Sequence, residues 1–111
     1  MKGEQYLTRP EDYTRVHGQG RWVGGRTVGV KSCPNGLAWA RCGIIVSKRV
    51  GKAVVRNRVK RRLREIVREL DMVPGIDVIF SARPQAAVAG FDTLKRDVEN
   101  SLVQAGITIQ R

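Results

Sequence analysis

Residues 43–70 read GIIVSKRVGKAVVRNRVKRRLREIVREL. Gly43 to Val46 is apolar throughout, as in a central strand covered on both faces. From Lys52 to Leu70 the apolar residues recur at Val55, Val59, Leu63, Ile66, Val67 and Leu70. At ~100° per residue these six share roughly a third of a helical wheel, so a helix is expected over 52–70 with that arc buried on a sheet. Arg56, Asn57, Lys60, Arg61, Arg64 and Arg68 gather on the opposite and adjoining face, and Arg58 and Arg62 lie on the other flank beside Glu65 and Glu69. Pro74-Gly75 then breaks the chain, and Asp77 to Ala82 (DVIFSA) reads as a short, largely apolar strand. The centre of the fold is therefore strand, basic helix, strand.

Upstream, Thr8-Arg9-Pro10-Glu11 looks like a helix start, with Thr8 as cap, Glu11 completing a capping box and Pro10 in the first turn. Gly18 and Gly20 can end this helix, which puts Tyr13, Val16 and His17 on one face. Residues 21–32 (RWVGGRTVGVKS) are strand-like, with a glycine pair that marks a bulge or tight bend, and an extra short strand is possible near 21–24. Asn35-Gly36 is a hairpin signal, so residues 38–46 are expected to return beside that strand. Downstream, Phe91, Leu94, Val98, Leu102 and Ala105 predict a last helix that stops at Gly106. The order α-β-β-α-β-α implies an α+β fold with helices on a central mixed sheet, a single domain over 1–111 with its folded core at about 6–106.

The charge narrows the function. The chain of 111 residues carries a net +11, and from Tyr13 to Arg64 there is no Asp or Glu against fourteen Lys and Arg. A stretch of one sign repels itself unless something anionic neutralises it, and nucleic acid is the first candidate. The helix could instead be merely solvated, but Glu65 and Glu69 cannot balance eight cations in residues 51–70, and each i,i+4 pair is worth only ~0.3–0.5 kcal/mol. Arg outnumbers Lys there, which suits bidentate phosphate binding. Ser47-Lys48-Arg49 leads into the helix and adds to the same surface.

Other chemistry is sparse. Cys33 and Cys42 are the only cysteines and His17 the only histidine, so no zinc spacing exists, and two buried or half-buried thiols are expected. Gly18-Gln19-Gly20 with Gly24-Gly25 lacks the strand before it and the Lys-Ser/Thr after it that a phosphate loop requires. No nucleophile–base pair or carboxylate pair lies in the basic region, so catalytic residues are not expected. No apolar run reaches the ~18 residues needed to span a bilayer, and MKGEQYLTRP lacks the apolar core of a signal peptide, so no membrane association and a cytoplasmic location are expected.

The run from Gly43 through Val-Ser-Lys-Arg-Val-Gly (46–51) to Arg56-Asn57-Arg58 and Glu65 resembles the signature of the bacterial ribonuclease P protein subunit. Leu7-Thr8-Arg9-Pro10-Glu11-Asp12-Tyr13 is similar to that family's first helix, and Asp77 to Arg83 to its last strand, so the likeness covers about residues 6 to 105. The resemblance implies a small basic protein that binds a large catalytic RNA. That RNA, with magnesium held by the RNA itself, removes the 5′ leader of precursor tRNA. Ser47, Lys48, Arg49, Lys52, Arg56, Asn57, Arg58, Lys60, Arg61 and Arg64 would meet the RNA subunit. Tyr13, His17 and Lys31 would line a leader cleft between the first helix and the sheet, and no protein partner is required. A left-handed crossover between the two central strands, as in a ribosomal-protein domain, is implied by the resemblance alone; general rules favour the right-handed form.

Two positions depart from the family. It commonly places aromatic residues where His17 and Lys31 stand here, so leader binding would rest more on charge. Trp22 and Trp39 are expected to be half-buried packing residues rather than replacements. A ribosomal or rRNA-binding structural protein is the alternative, since it shares charge, size and fold; a DNA-binding module is less apt, because no helix-turn-helix spacing stands out. The Val46–Gly51 and Arg56-Asn57-Arg58 segments discriminate between them.

Overall fold

The computed structural model describes residues 6–107; the outer ends of the expected 1–111 domain lie outside them. The elements run α1 (Pro10–Gln19), β1 (Arg21–Val23), β2 (Val28–Pro34), β3 (Arg41–Val46), α2 (Ala53–Arg68), β4 (Ile76–Ala82) and α3 (Phe91–Ala105), with 3-10 turns at Lys48–Val50 and Pro84–Ala87. The basic stretch is helical as its spacing predicts. Val59, Leu63, Ile66 and Val67 are buried, each contributing ~1.5–3 kcal/mol through the apolar surface it removes from water. The last helix stops at Gly106 as expected, with a left-handed φ of 72°.

The four strands form one mixed sheet in the order β1-β2-β4-β3. β2 is antiparallel to β4, and β3 is parallel to β4 through the α2 crossover. This corrects the expected hairpin, because β4 lies between β2 and β3. The reason is local: the Asn35 amide N–H bonds Gly75 O, and its side-chain NH₂ bonds Trp39 O and Asp77. The turn thus clasps the start of β4 instead of pairing its own flanks. Asp77-Val78-Ile79-Phe80 of β4 is wholly buried and is the true central run. Gly43–Val46 is apolar for a different reason: β3 is an edge strand whose half-buried Ile44 and Val46 pack on the α2 side, while Gly43 and the half-buried Ile45 lie against Tyr13 on the other.

Two core clusters follow from the alternation of side chains along the strands. Val28, Val30, Cys42, Val78 and Phe80 face α2 and α3. Cys33 and Ile79 face the other way, with Leu7 and Val16 of the α1 region and the half-buried Tyr13 and Ile45. α1 differs from expectation at its start. Arg9 occupies the N-cap position, no side chain caps the helix, and Pro10 supplies the first turn, so Thr8 is one residue too early. The expected strand 21–32 is two strands turning back through Gly24 and Gly25, with Trp22 opposite Lys31.

Candidate nucleic-acid interface

α2 presents its cations where the sheet does not need them. Asn57, Arg61, Arg64 and Arg68 are exposed and Lys60 is half-buried, opposite the buried arc. The first turn of α2 holds no acid, and the one ion pair on the helix among the described residues, Arg68–Glu65 at 3.9 Å, is exposed on both sides. Such a pair is worth little in water.

Not every basic residue of the segment is free to contact RNA. Arg58 Nη2 donates to Ala87 O at 2.8 Å and Arg62 Nη1 to Ala89 O at 3.0 Å. Both guanidiniums therefore tie α2 to the chain between β4 and α3, and Arg58 Nε is buried without a hydrogen-bond partner among the described residues. Arg58 lies on the flank that its spacing predicts, beside the Pro84–Ala87 turn. Arg56 Nε donates to Gly51 O at 3.1 Å, which fixes the loop before the helix. Ser47, Lys48, Arg49 and Lys52 are all exposed. The amides of Val50 and Gly51 are engaged within the 3-10 turn, bonding Ser47 O and Lys48 O.

The second surface lies on the other sheet face. Tyr13 sits directly over Gly43: a Cβ at that position would stand 2.6 Å from Tyr13 Oη, so only glycine admits the ring. The phenol donates to Leu7 O at 3.3 Å, and burial raises its pKa, so it stays neutral at physiological pH. Tyr6, Tyr13, Gly43, Ile44, Lys60 and Arg64 line one concave groove around the β3 edge. The cleft aromatic and the cationic ridge are thus neighbours, which the sequence order did not reveal. His17 is exposed on the last turn of α1, and its carbonyl accepts a 2.6 Å hydrogen bond from Lys31 Nζ. This bond places Lys31 at the negative end of the helix.

What holds α1 over the sheet is a buried carboxylate that sequence reasoning missed. Asp77 accepts from Arg41 Nε and Nη2 at 2.9 and 2.8 Å, from Asn35 at 2.9 Å, and from Arg15 of α1. Burial alone would push its carboxyl up, but the bonds from Arg41 and Asn35, the Arg41 charge and the Arg15 bond outweigh it and hold the pKa below the usual value. Arg15 also donates to Cys33 Sγ at 2.8 Å. Cys42 is buried on the α2-facing side of β3, which pushes its thiol up to about 12. Both cysteines are buried. Trp22 keeps 49% and Trp39 41% of its surface exposed, so each is about half-buried, and the Trp22 ring packs across Gly29. Among the described residues no three His, Cys, Asp or Glu side chains are grouped to hold a metal ion, and no helix is long and apolar enough to cross a membrane.

A basic ridge adjoining an aromatic-lined cleft around the β3 edge can be compared with known proteins. A family model described as Ribonuclease P matches residues 1–106. The chain belongs to the ribonuclease P protein family. It is 43% identical over 107 residues to the ribonuclease P protein component of Dehalococcoides mccartyi, with 96% of this chain and 89% of the relative covered. It is 44% identical over 111 residues to the corresponding component of Roseiflexus castenholzii, covering 96% and 90%. Its fold matches a solved structure of the RNase P protein from Staphylococcus aureus with a TM-score of 0.85 at 30% identity, covering 95% of this chain and 98% of that one. The chain is accordingly a protein subunit of ribonuclease P, part of an RNA-based enzyme, and associates with an RNA subunit. The ribosomal alternative is not favoured by these relatives.

Proposed function

We propose that α2 and the Ser47–Lys52 segment bind the RNA subunit, while the cleft between α1 and the sheet receives the 5′ leader of precursor tRNA. The observation that carries this is the separation of faces on α2. Apolar residues face the sheet, and Asn57, Lys60, Arg61 and Arg64 face outward, in a stretch without a single acid from Tyr13 to Arg64. Phosphate contacts of this kind supply affinity through counterion release. Tyr13 then offers a ring to an unpaired base and Lys31 a charge to its phosphate. Magnesium, which would stabilise charge on the reacting phosphate, is assigned to the RNA, and the work of this chain is to bind and position. The protein acts in the cytoplasm and needs no protein partner.

The test is reconstitution. Purified RNA subunit with precursor tRNA at low magnesium should cleave poorly alone and well once the chain is added. Cleavage by the chain without RNA, at a rate comparable to the complex, would contradict the assignment of chemistry to the RNA.

A further inference from the structure

Trp22 is a large exposed side chain to which neither the ridge nor the cleft gives a role. The β1–β2 register sets it opposite Lys31, on the sheet face that carries the cleft. Its indole lies across Gly29, where a Cβ would stand 2.2 Å from Cη2 and 2.5 Å from Cζ2. One ring face therefore covers the glycine, and the side chain still keeps 49% of its surface exposed. Beside it Ser47, Arg49, Ala82, Arg83 and Pro84 complete a hollow. Arg49 and Arg83 are exposed, and the Arg83 guanidinium makes a long 3.4 Å bond to Gly25 O. Among the described residues no carboxylate is paired with either.

We propose that Trp22 is a second base-stacking platform for single-stranded leader, with the adjoining phosphate held by Arg49 and Arg83, an assignment that rests on the leader cleft proposed above. A flat indole with one face open stacks any base, and two guanidiniums with no carboxylate partner among the described residues supply the planar donors that phosphate oxygens accept. Continuity decides for the leader over other RNA. Tyr13 covers Gly43 on β3, and Ser47 follows four residues later on the same strand path, roughly 13 Å away at ~3.3 Å per residue. Both platforms lie on one sheet face, so a strand crossing it from Tyr13 meets Trp22 only after more than one nucleotide. Lys31, held by the His17 carbonyl, brings charge between them but no ring. Trp22 supplies that ring from the neighbouring strand. This placement takes Arg49 from the RNA-subunit surface to the leader surface.

The experiment uses reconstituted holoenzyme and precursor tRNAs with leaders of about two and about ten nucleotides. In a Trp39→Phe background, emission from Trp22 should be quenched by the long-leader precursor and not by the short one. Trp22→Leu, which keeps an apolar cover on Gly29 but removes the flat ring, should weaken binding of the long-leader precursor by about five- to a hundredfold. Trp22→Phe should retain most of it, and short-leader binding should not change. Equal losses on both substrates would make Trp22 a packing residue and overturn the proposal. Quenching by the RNA subunit alone, before precursor is added, would overturn it in favour of an RNA-subunit contact. If the wild-type holoenzyme bound both precursors alike, the leader cleft itself would fall, a result separable from failure of the Trp22 variants alone.

Discussion

Arg41 grips Asp77 with two hydrogen bonds, 2.9 Å from Nε and 2.8 Å from Nη2, and the carboxylate between them is fully buried. The pair joins β3 to β4 and, through Arg15, ties both to α1. The position of the cleft depends on it. Asp77→Asn leaves Arg15 and Arg41 without their shared anion, so it should cost about 3–5 kcal/mol of stability, as breaking a buried pair does. Chemical denaturation at neutral pH measures this.

The same carboxylate predicts an acid limb. Its folded pKa lies below the unfolded value, which is about 3.9 for an aspartate. The stability it confers is therefore fully present above about pH 4 and is lost as pH falls through the lower folded value. Denaturation midpoints between about pH 6 and pH 2 should fall more steeply for the wild type than for Asp77→Asn. Parallel curves would show that Asp77 carries no such linkage.

Within α2, stability and RNA binding should separate by face. Leu63 is fully buried, and Leu63→Ala should cost about 2–5 kcal/mol of stability. Arg58→Ala should also act mainly on stability, because its guanidinium serves Ala87 O. Arg64→Ala should leave the melting temperature nearly unchanged and weaken RNA binding. Thermal melts and RNA titrations on the same three variants test the division.

Much of this division is legible in the sequence, because period 3.6 alone sorts Val59, Leu63, Ile66 and Val67 from Lys60, Arg61 and Arg64. The strand order is not. Asn35-Gly36 signals a hairpin locally, yet the Asn35 side chain reaches Asp77, 42 positions away. A charged residue at the head of DVIF gives no hint that it is the buried partner of Arg15 and Arg41. Nor does spacing show that Arg58 leans on a distant carbonyl, or that Trp22 finds a glycine across the strand to lie on. Short-range pattern fixes faces; long-range pairing fixes which polar residues are consumed by the fold.

Tyr13 is tested through its neighbour as well as directly. Tyr13→Ala should weaken long-leader precursor binding by about five- to a hundredfold, on a stacking energy of ~1–3 kcal/mol. Binding of the RNA subunit should barely change, and His17→Ala should cost less. Gly43→Ala should mimic the Tyr13 defect, because a methyl there would meet the ring at 2.6–2.8 Å and displace it. A Gly43→Ala protein with normal leader discrimination would contradict the Tyr13 assignment.

Cys42 should resist alkylation in the native state, since burial pushes its thiol to about 12 and the thiolate is the reactive form. Its modification rate should follow unfolding, read by labelling across a denaturant series.

The cationic face of α2 is tested most directly by the salt dependence of affinity for the RNA subunit. With about six phosphates contacted, log K should fall against log salt with a slope of roughly −4 to −5. The combined Lys60→Ala, Arg61→Ala and Arg64→Ala variant should lose about three units of that slope, at about one per contact removed, while melting at the wild-type temperature. An affinity independent of salt, or a triple variant with the wild-type slope, would contradict it.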